Sequence, residues 1–172
     1  MDITGKIKLA KSGDDNAFYE LISQQKVQLY KTAFAYVKNK EDALDIVSDT
    51  VCKAYTSIKS LKEPSFFNTW LTRILINSSI DFINKHKKNT VFEENISMDT
   101  KYLEKDEEQI IDLKTAVDKL QEKYKTIVIL KYFQGMTLME IATILQCPLG
   151  TVKTNLHKAL EELRFDLKEE LL

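Results

Sequence analysis

Glycine and proline are scarce in this 172-residue chain, four of one and two of the other. So few breakers argue for a mostly helical protein with few tight turns. Cysteine is almost as rare. Cys52 and Cys147 are far apart and have no nearby Cys or His partners, so they read as structural thiols and a zinc site is excluded. His86 and His157 are equally isolated, which leaves no metal site, no cofactor site and no catalytic dyad to expect. There is no apolar run of about 18 residues to span a bilayer, and the first residues, MDITGKIKLAKSGDD, lack the apolar core of a secretory signal. The expectation is a cytoplasmic protein without direct membrane insertion. Positive charge is lacking too, since 25 Lys and Arg face 26 Asp and Glu for a net charge of -1.

The most informative segment that is present runs from Thr137 to Lys158, TLMEIATILQCPLGTVKTNLHK. Thr137 and Glu140 make a T-x-x-E capping box, and Leu138, Ile141, Ala142 and Leu145 follow at helical spacing. Gln146, Cys147 and Pro148 interrupt that helix, with Pro148 suited to the first turn of another because a residue there needs no N–H partner. The second helix is expected to bury Val152, Leu156, Leu160 and Leu163. That leaves Thr151, Lys153, Thr154, Asn155, His157 and Lys158 outward, with Gly150 in the first turn where backbone N–H groups can approach a phosphate. Lysine for phosphates and guanine edges, asparagine for adenine and threonine for methyl groups or phosphates are groove-reading chemistries. The pattern is a helix-turn-helix that points to DNA; an ordinary helical hairpin with a polar outer face is the alternative.

The near-neutral charge constrains that reading, because phosphate neutralisation supplies much of a free-standing DNA binder's affinity. Such a chain binds DNA weakly alone or borrows affinity from a larger assembly. The charges are also segregated, with Lys85, His86, Lys87 and Lys88 in one cluster and Glu104, Asp106, Glu107 and Glu108 in another. Between them no period is sustained. The expected organisation is all-α with two small helical domains, 1–88 and 106–172, joined by a flexible linker over 89–105.

In the first domain, Ile3 to Lys11 reads as a short helix ended by a turn at Ser12 to Asp15 that also caps the next. Phe18, Leu21, Ile22, Leu29, Ala33, Phe34 and Val37 form the apolar stripe of a long helix that stops at Asn39 and Lys40. The following helix, about Glu41 to Leu61, is expected to bury Leu44, Val47, Val51, Ala54, Tyr55 and Ile58. Asp42, Asp45 and Asp49 occupy its other face. Like charges four apart cost an isolated helix about 0.2–0.5 kcal/mol, which a basic partner surface would turn into attraction. Equally, Lys53 could compensate Asp49 on a solvated face. Pro64 marks a loop, and a fourth helix begins near Ser65. Its apolar side is Phe66, Phe67, Trp70, Leu71, Ile74, Leu75 and Phe82; Arg73, Asn77, Asn84, Lys85 and Lys88 line a polar side. Cations and amides beside aromatic rings suit single-stranded nucleic acid, although Trp70 itself reads as a core aromatic.

The segments DALDIVSDTVCKAYTSI and LKEPSFFNTWLTRILINSSIDFINKHKK together resemble the second region of bacterial extracytoplasmic-function (ECF) sigma factors, subunits of RNA polymerase. LQEKYKTIVILKYFQGMTLMEIATILQCPLGTVKTNLHKALEEL is similar to their fourth region. The resemblance implies a sigma factor, not an enzyme, that binds core RNA polymerase and promoter DNA in a stress or envelope response under an anti-sigma factor. It assigns Asp45, Ser48 and Asp49 to polymerase docking. Lys62, Glu63, Pro64, Ser65 and Phe66, with Arg73 and Asn77, are assigned to the minus-ten element, and Gly150, Thr151, Lys153, Thr154, Asn155, His157 and Lys158 to the minus-thirty-five element. The chain departs from the family pattern at Ser48, where glutamine is frequent, and at Asn84 and Asn155, where arginine is common. A stand-alone helix-turn-helix regulator, with a dimerising or sensing N-terminal half, is the alternative. An enzyme would need a nucleophile–base pair or a carboxylate pair, and the chain offers neither.

Overall fold

The structure, a computed structural model, describes residues 2–89 and 115–169, with side chains over 2–86 and 115–166. Its elements divide into two compact units, Met1–Lys88 and Asn89–Leu172. The expected linker, 89–105, lies almost wholly outside the described residues.

In the first unit every early helix starts on a side chain that satisfies an orphan amide. Helix α1 (Ile3–Ser12) is capped by Asp2, which accepts from the Gly5 N–H at 2.9 Å. Gly13 ends it at φ 100°, a conformation that costs glycine nothing. Asp14 caps α2 (Asp15–Val37) through the Ala17 N–H at 3.0 Å. Asn39 caps α3 (Lys40–Ser57), accepting from Glu41 and Asp42, whose carboxylates also suit the positive end of the helix dipole. Two 3-10 turns, Ile58–Ser60 and Pro64–Phe66, lead into α4 (Phe67–Asn89). Both α1 and α3 pack on α2. Ile7, Phe18, Leu21, Leu29, Ile46, Leu61, Phe67, Leu71 and Leu75 fill the common core.

Helix α3 departs from the expected stripe. Ala43, Ile46, Thr50 and Ala54 are buried, Val47 and Val51 only partly so, whereas Leu44 is 45% and Tyr55 51% exposed. Two overlapping apolar rows a residue apart were available, and the row of small residues wins because it lets the helices approach closely. Thr50 can join it because its hydroxyl donates to the Ile46 carbonyl at 2.7 Å. Tyr55 instead lays its ring edge-on to Phe18, centroids 5.2 Å apart, and donates to Asp15 at 2.7 Å. The helix also ends at Ser57 rather than near Leu61, because the chain tightens into the first 3-10 turn. Phe66, expected on the apolar side of the fourth helix, precedes α4 and is 56% exposed.

The second unit begins, among the described residues, with a helical stretch at 115–119. Helix α5 (Glu122–Val128) runs into a π-helical turn, Ile129–Phe133, closed by the Gln134 N–H on the Ile129 carbonyl at 3.1 Å. That wide turn buries Ile129 and Leu130 completely while leaving Tyr132 and Phe133 out. Helices α6 (Leu138–Leu145) and α7 (Leu149–Glu169) pack on each other, and α5 packs on α7. Val152, Ala159 and Leu163 of α7 are buried, with Leu156 and Leu160 half-buried.

Candidate nucleic-acid interface and docking face

The helix-turn-helix forms as its local chemistry dictates. The Thr137 N–H donates to Glu140 Oε2 at 2.8 Å, and the Glu140 N–H returns a bond to Thr137 Oγ1 at 3.3 Å. These bonds, first from the Thr137 backbone and then from its hydroxyl, hold the Glu140 carboxyl below its usual range. At the turn Gln146 adopts φ 52° and ψ 43°, and the Cys147 N–H closes on the Ala142 carbonyl at 3.1 Å. Pro148 sits one position earlier than expected: α7 starts at Leu149, and the Pro148 carbonyl accepts from the Thr151 and Val152 amides. Proline loses nothing there, since its role is to accept.

Along α7, Gly150, Thr151, Lys153, Thr154, His157 and Lys158 are exposed and Asn155 is half-buried. Because Val152 and Ala159 point inward, the outermost line runs through Gly150, Thr154 and His157. A Cβ added at Gly150 would meet nothing within 4 Å, so the space over the first turn is open. The Thr154 hydroxyl donates to the Gly150 carbonyl at 3.0 Å. His157 Nδ1 lies 3.3 Å from Glu161 Oε2, one turn farther on. Glu161 was missed by sequence reading; its i,i+4 spacing from His157 was the available signal. An outward carboxylate there would repel phosphate, so the surface chemically suited to DNA lies in the first half of α7.

In the first unit Lys62, Glu63, Ser65 and Phe66 are exposed and Pro64 is half-buried. Arg73 and Asn77 are exposed on α4. Residues 73 and 77, four apart, fall on one side of the helix, and Asn77 stands about 15 Å along the axis from Phe67, where the loop ends. Asn77 is therefore too far along the helix to share a pocket-sized neighbourhood with the end of the loop. Trp70 is half-buried beside Phe67, ring centroids 5.9 Å apart, as a supporting core aromatic.

The acidic face of α3 resolves into unlike members. Lys53 Nζ pairs with Asp49 at 2.7 Å, donates to Oγ of the buried Ser78 on α4 at 3.0 Å, and lies 3.8 Å from Asp81. The Lys53 hydrogen bond, helped by the Ser78 hydroxyl and opposed by partial burial, holds the Asp49 carboxyl below its ordinary value. Asp45 is exposed at the mouth of the same cleft, which Lys85 also lines. Ser48 is exposed but its hydroxyl donates to the Leu44 carbonyl at 2.9 Å, so it is committed to its own helix. Compensation by Lys53 thus accounts for Asp49 and leaves Asp45 outward. Among the described residues, no group of three His, Cys, Asp or Glu side chains is placed to hold a metal.

These features coincide with known sequences. Residues 21–89 match the family Sigma-70 region 2, and residues 110–163 match Sigma-70, region 4. The chain is 38% identical to RNA polymerase sigma factor SigV of Bacillus subtilis, covering 87% of this chain and 90% of that one. It is 33% identical to ECF RNA polymerase sigma factor SigW of the same organism, over 98% of each chain. The fold is similar to that of the sigma factor RpoE solved with the anti-sigma factor NepR from Bartonella quintana, with a TM-score of 0.71, 25% identity, and 88% and 96% of the two chains covered. With both regions present in order and relatives of this identity over nearly their whole length, the chain belongs to the extracytoplasmic-function family of RNA polymerase sigma factors.

Proposed function

We propose that this sigma factor joins core RNA polymerase through the α3 face around Asp45, reads the minus-thirty-five duplex with the first half of α7, and holds unpaired minus-ten bases along Phe66, Arg73 and Asn77. The observation that carries this reading is the outward row from Gly150 to Lys158 on a chain whose net charge is -1. A helix shaped for the groove on a chain without a cationic excess needs a partner to supply affinity, and core polymerase is that partner. The chain makes and breaks no bond; it selects and opens DNA. A stand-alone regulator would need a dimerising or sensing half, and region 2 occupies that half.

The solved RpoE complex supports an anti-sigma factor as a further partner. No helix among the described residues is long and apolar enough to cross a membrane. We place the protein in the cytoplasm, where polymerase works, in a stress or envelope response. Run-off transcription with purified core polymerase over a genomic promoter library tests the function. Discrete transcripts that require this chain are expected; the same transcripts with core alone would refute it.

A further inference from the structure

Helix α1 precedes the segment matched to region 2, yet it reaches the loop assigned to the minus-ten element. Ile7 and Ala10 are buried in the core, and Lys11, one residue on, shares their inward side and is half-buried. Its ammonium donates to the Leu61 carbonyl at 2.6 Å, across 50 residues of sequence. Leu61 is 3% exposed, and its own N–H closes the first 3-10 turn on the Ile58 carbonyl at 3.1 Å. Leu61, from which the loop departs, is therefore held through both its N–H and its carbonyl. Helix α1 also packs against the Pro64–Phe66 turn and is tied to α2 by the Lys6–Glu20 ion pair at 2.6 Å. A lysine spends considerable side-chain entropy to be held in this way, and a charge-assisted bond to a carbonyl has a defined direction. Such a bond sets where a loop begins.

We propose that Lys11 is a positioning residue for minus-ten recognition: by holding the Leu61 carbonyl it aims the exposed Lys62–Phe66 loop at the unpaired strand. The inference rests on the reading of that loop as a minus-ten contact. Lys11→Met keeps an unbranched stem in the same packing and removes the donor; Lys11→Arg restores one. With the full chain and core polymerase, Lys11→Met should retain polymerase affinity and upstream duplex recognition. It should lose about fivefold in discrimination among the four bases at the captured minus-ten position, with open complex, read by permanganate, falling in parallel. Lys11→Arg should recover most of both. Unchanged base discrimination in Lys11→Met overturns the proposal, as does a parallel loss of polymerase binding, upstream recognition and thermal stability that Lys11→Arg does not repair. Glu63→Ala and Phe66→Ala separate the two levels. If they alter base discrimination while Lys11→Met does not, only the positioning role fails; if they too are silent, the loop assignment fails with it.

Discussion

Gln146 carries the bend of the helix-turn-helix in a left-handed conformation, φ 52°, that side chains with a Cβ adopt at a cost. Gln146→Gly removes that cost but frees the unfolded backbone, so the net gain should be about 0.5–1 kcal/mol. Denaturant unfolding followed in the second unit checks this, and a lower midpoint would mean that the glutamine side chain makes the turn. Asp49 gives a dependence on acidity. Its carboxyl is held below its ordinary value of 3.8 by Lys53 and Ser78, so its contribution to stability is present above that value and is lost as pH falls through the lower folded value. The side chain is 52% exposed, and solvent screening limits the contribution to about 0.2–1 kcal/mol. The gap in urea midpoint between the natural chain and Asp49→Asn should be constant from about pH 5 to 8 and should shrink below about pH 4. A gap that widens in acid would reverse the assignment. Caps at this level, Asp14 and Thr137 among them, were legible in advance because each acts on an amide three residues away, whereas Asn39, expected only to end one helix, also caps the next.

The proposed reading divides helix α7 into a half that would meet DNA and a half that would not. Lys153 and Lys158 are exposed in the first half, and Glu161 marks its limit. In the polymerase complex, Lys153→Ala or Lys158→Ala should reduce the slope of log binding constant against log salt by about one per lost phosphate contact. Titration over a range of salt concentrations reads this, and unaltered slopes for both would remove the helix from the phosphate backbone. The pairing of α6 with α7 was readable because a capping box, a breaker and two apolar stripes agree. The face that α3 buries was not. Its sequence carries two apolar rows a residue apart, and the choice between them depends on how closely neighbouring helices approach.

The whole chain, with 25 cationic and 26 acidic residues, cannot hold a promoter by bulk charge. In mobility shifts the isolated protein should bind promoter and unrelated duplexes with similarly low affinity, and selectivity should appear on adding core polymerase. Tight selective binding without polymerase would contradict this division of labour. It also follows that charge reversal on α3 and loss of cations on α7 should fail differently. The first should weaken the assembly with core polymerase, and the second should weaken the hold of the assembled complex on DNA while leaving assembly intact.

Helical class, the order of the two units, the capped helix-turn-helix and the outward row on α7 follow from local rules: periodicity, capping and the placement of breakers act within a turn or two, so the chain order states them. Folding settled what depends on distant neighbours. The contact of Lys53 with Ser78 on α4, added to its pairing with Asp49, decides between two readings the sequence left equal: Asp49 is compensated and Asp45 stays outward. The bond from Lys11 to Leu61 joins two segments 50 residues apart, and the extrusion of Phe66 depends on a 3-10 turn seated against α1. Only the Asp49–Lys53 pair among these, four residues apart on one helix, has a spacing that the chain order states. The bonds of Lys53 to Ser78 and of Lys11 to Leu61 exist because packing brought a polar group of a buried residue to a partner on a distant segment.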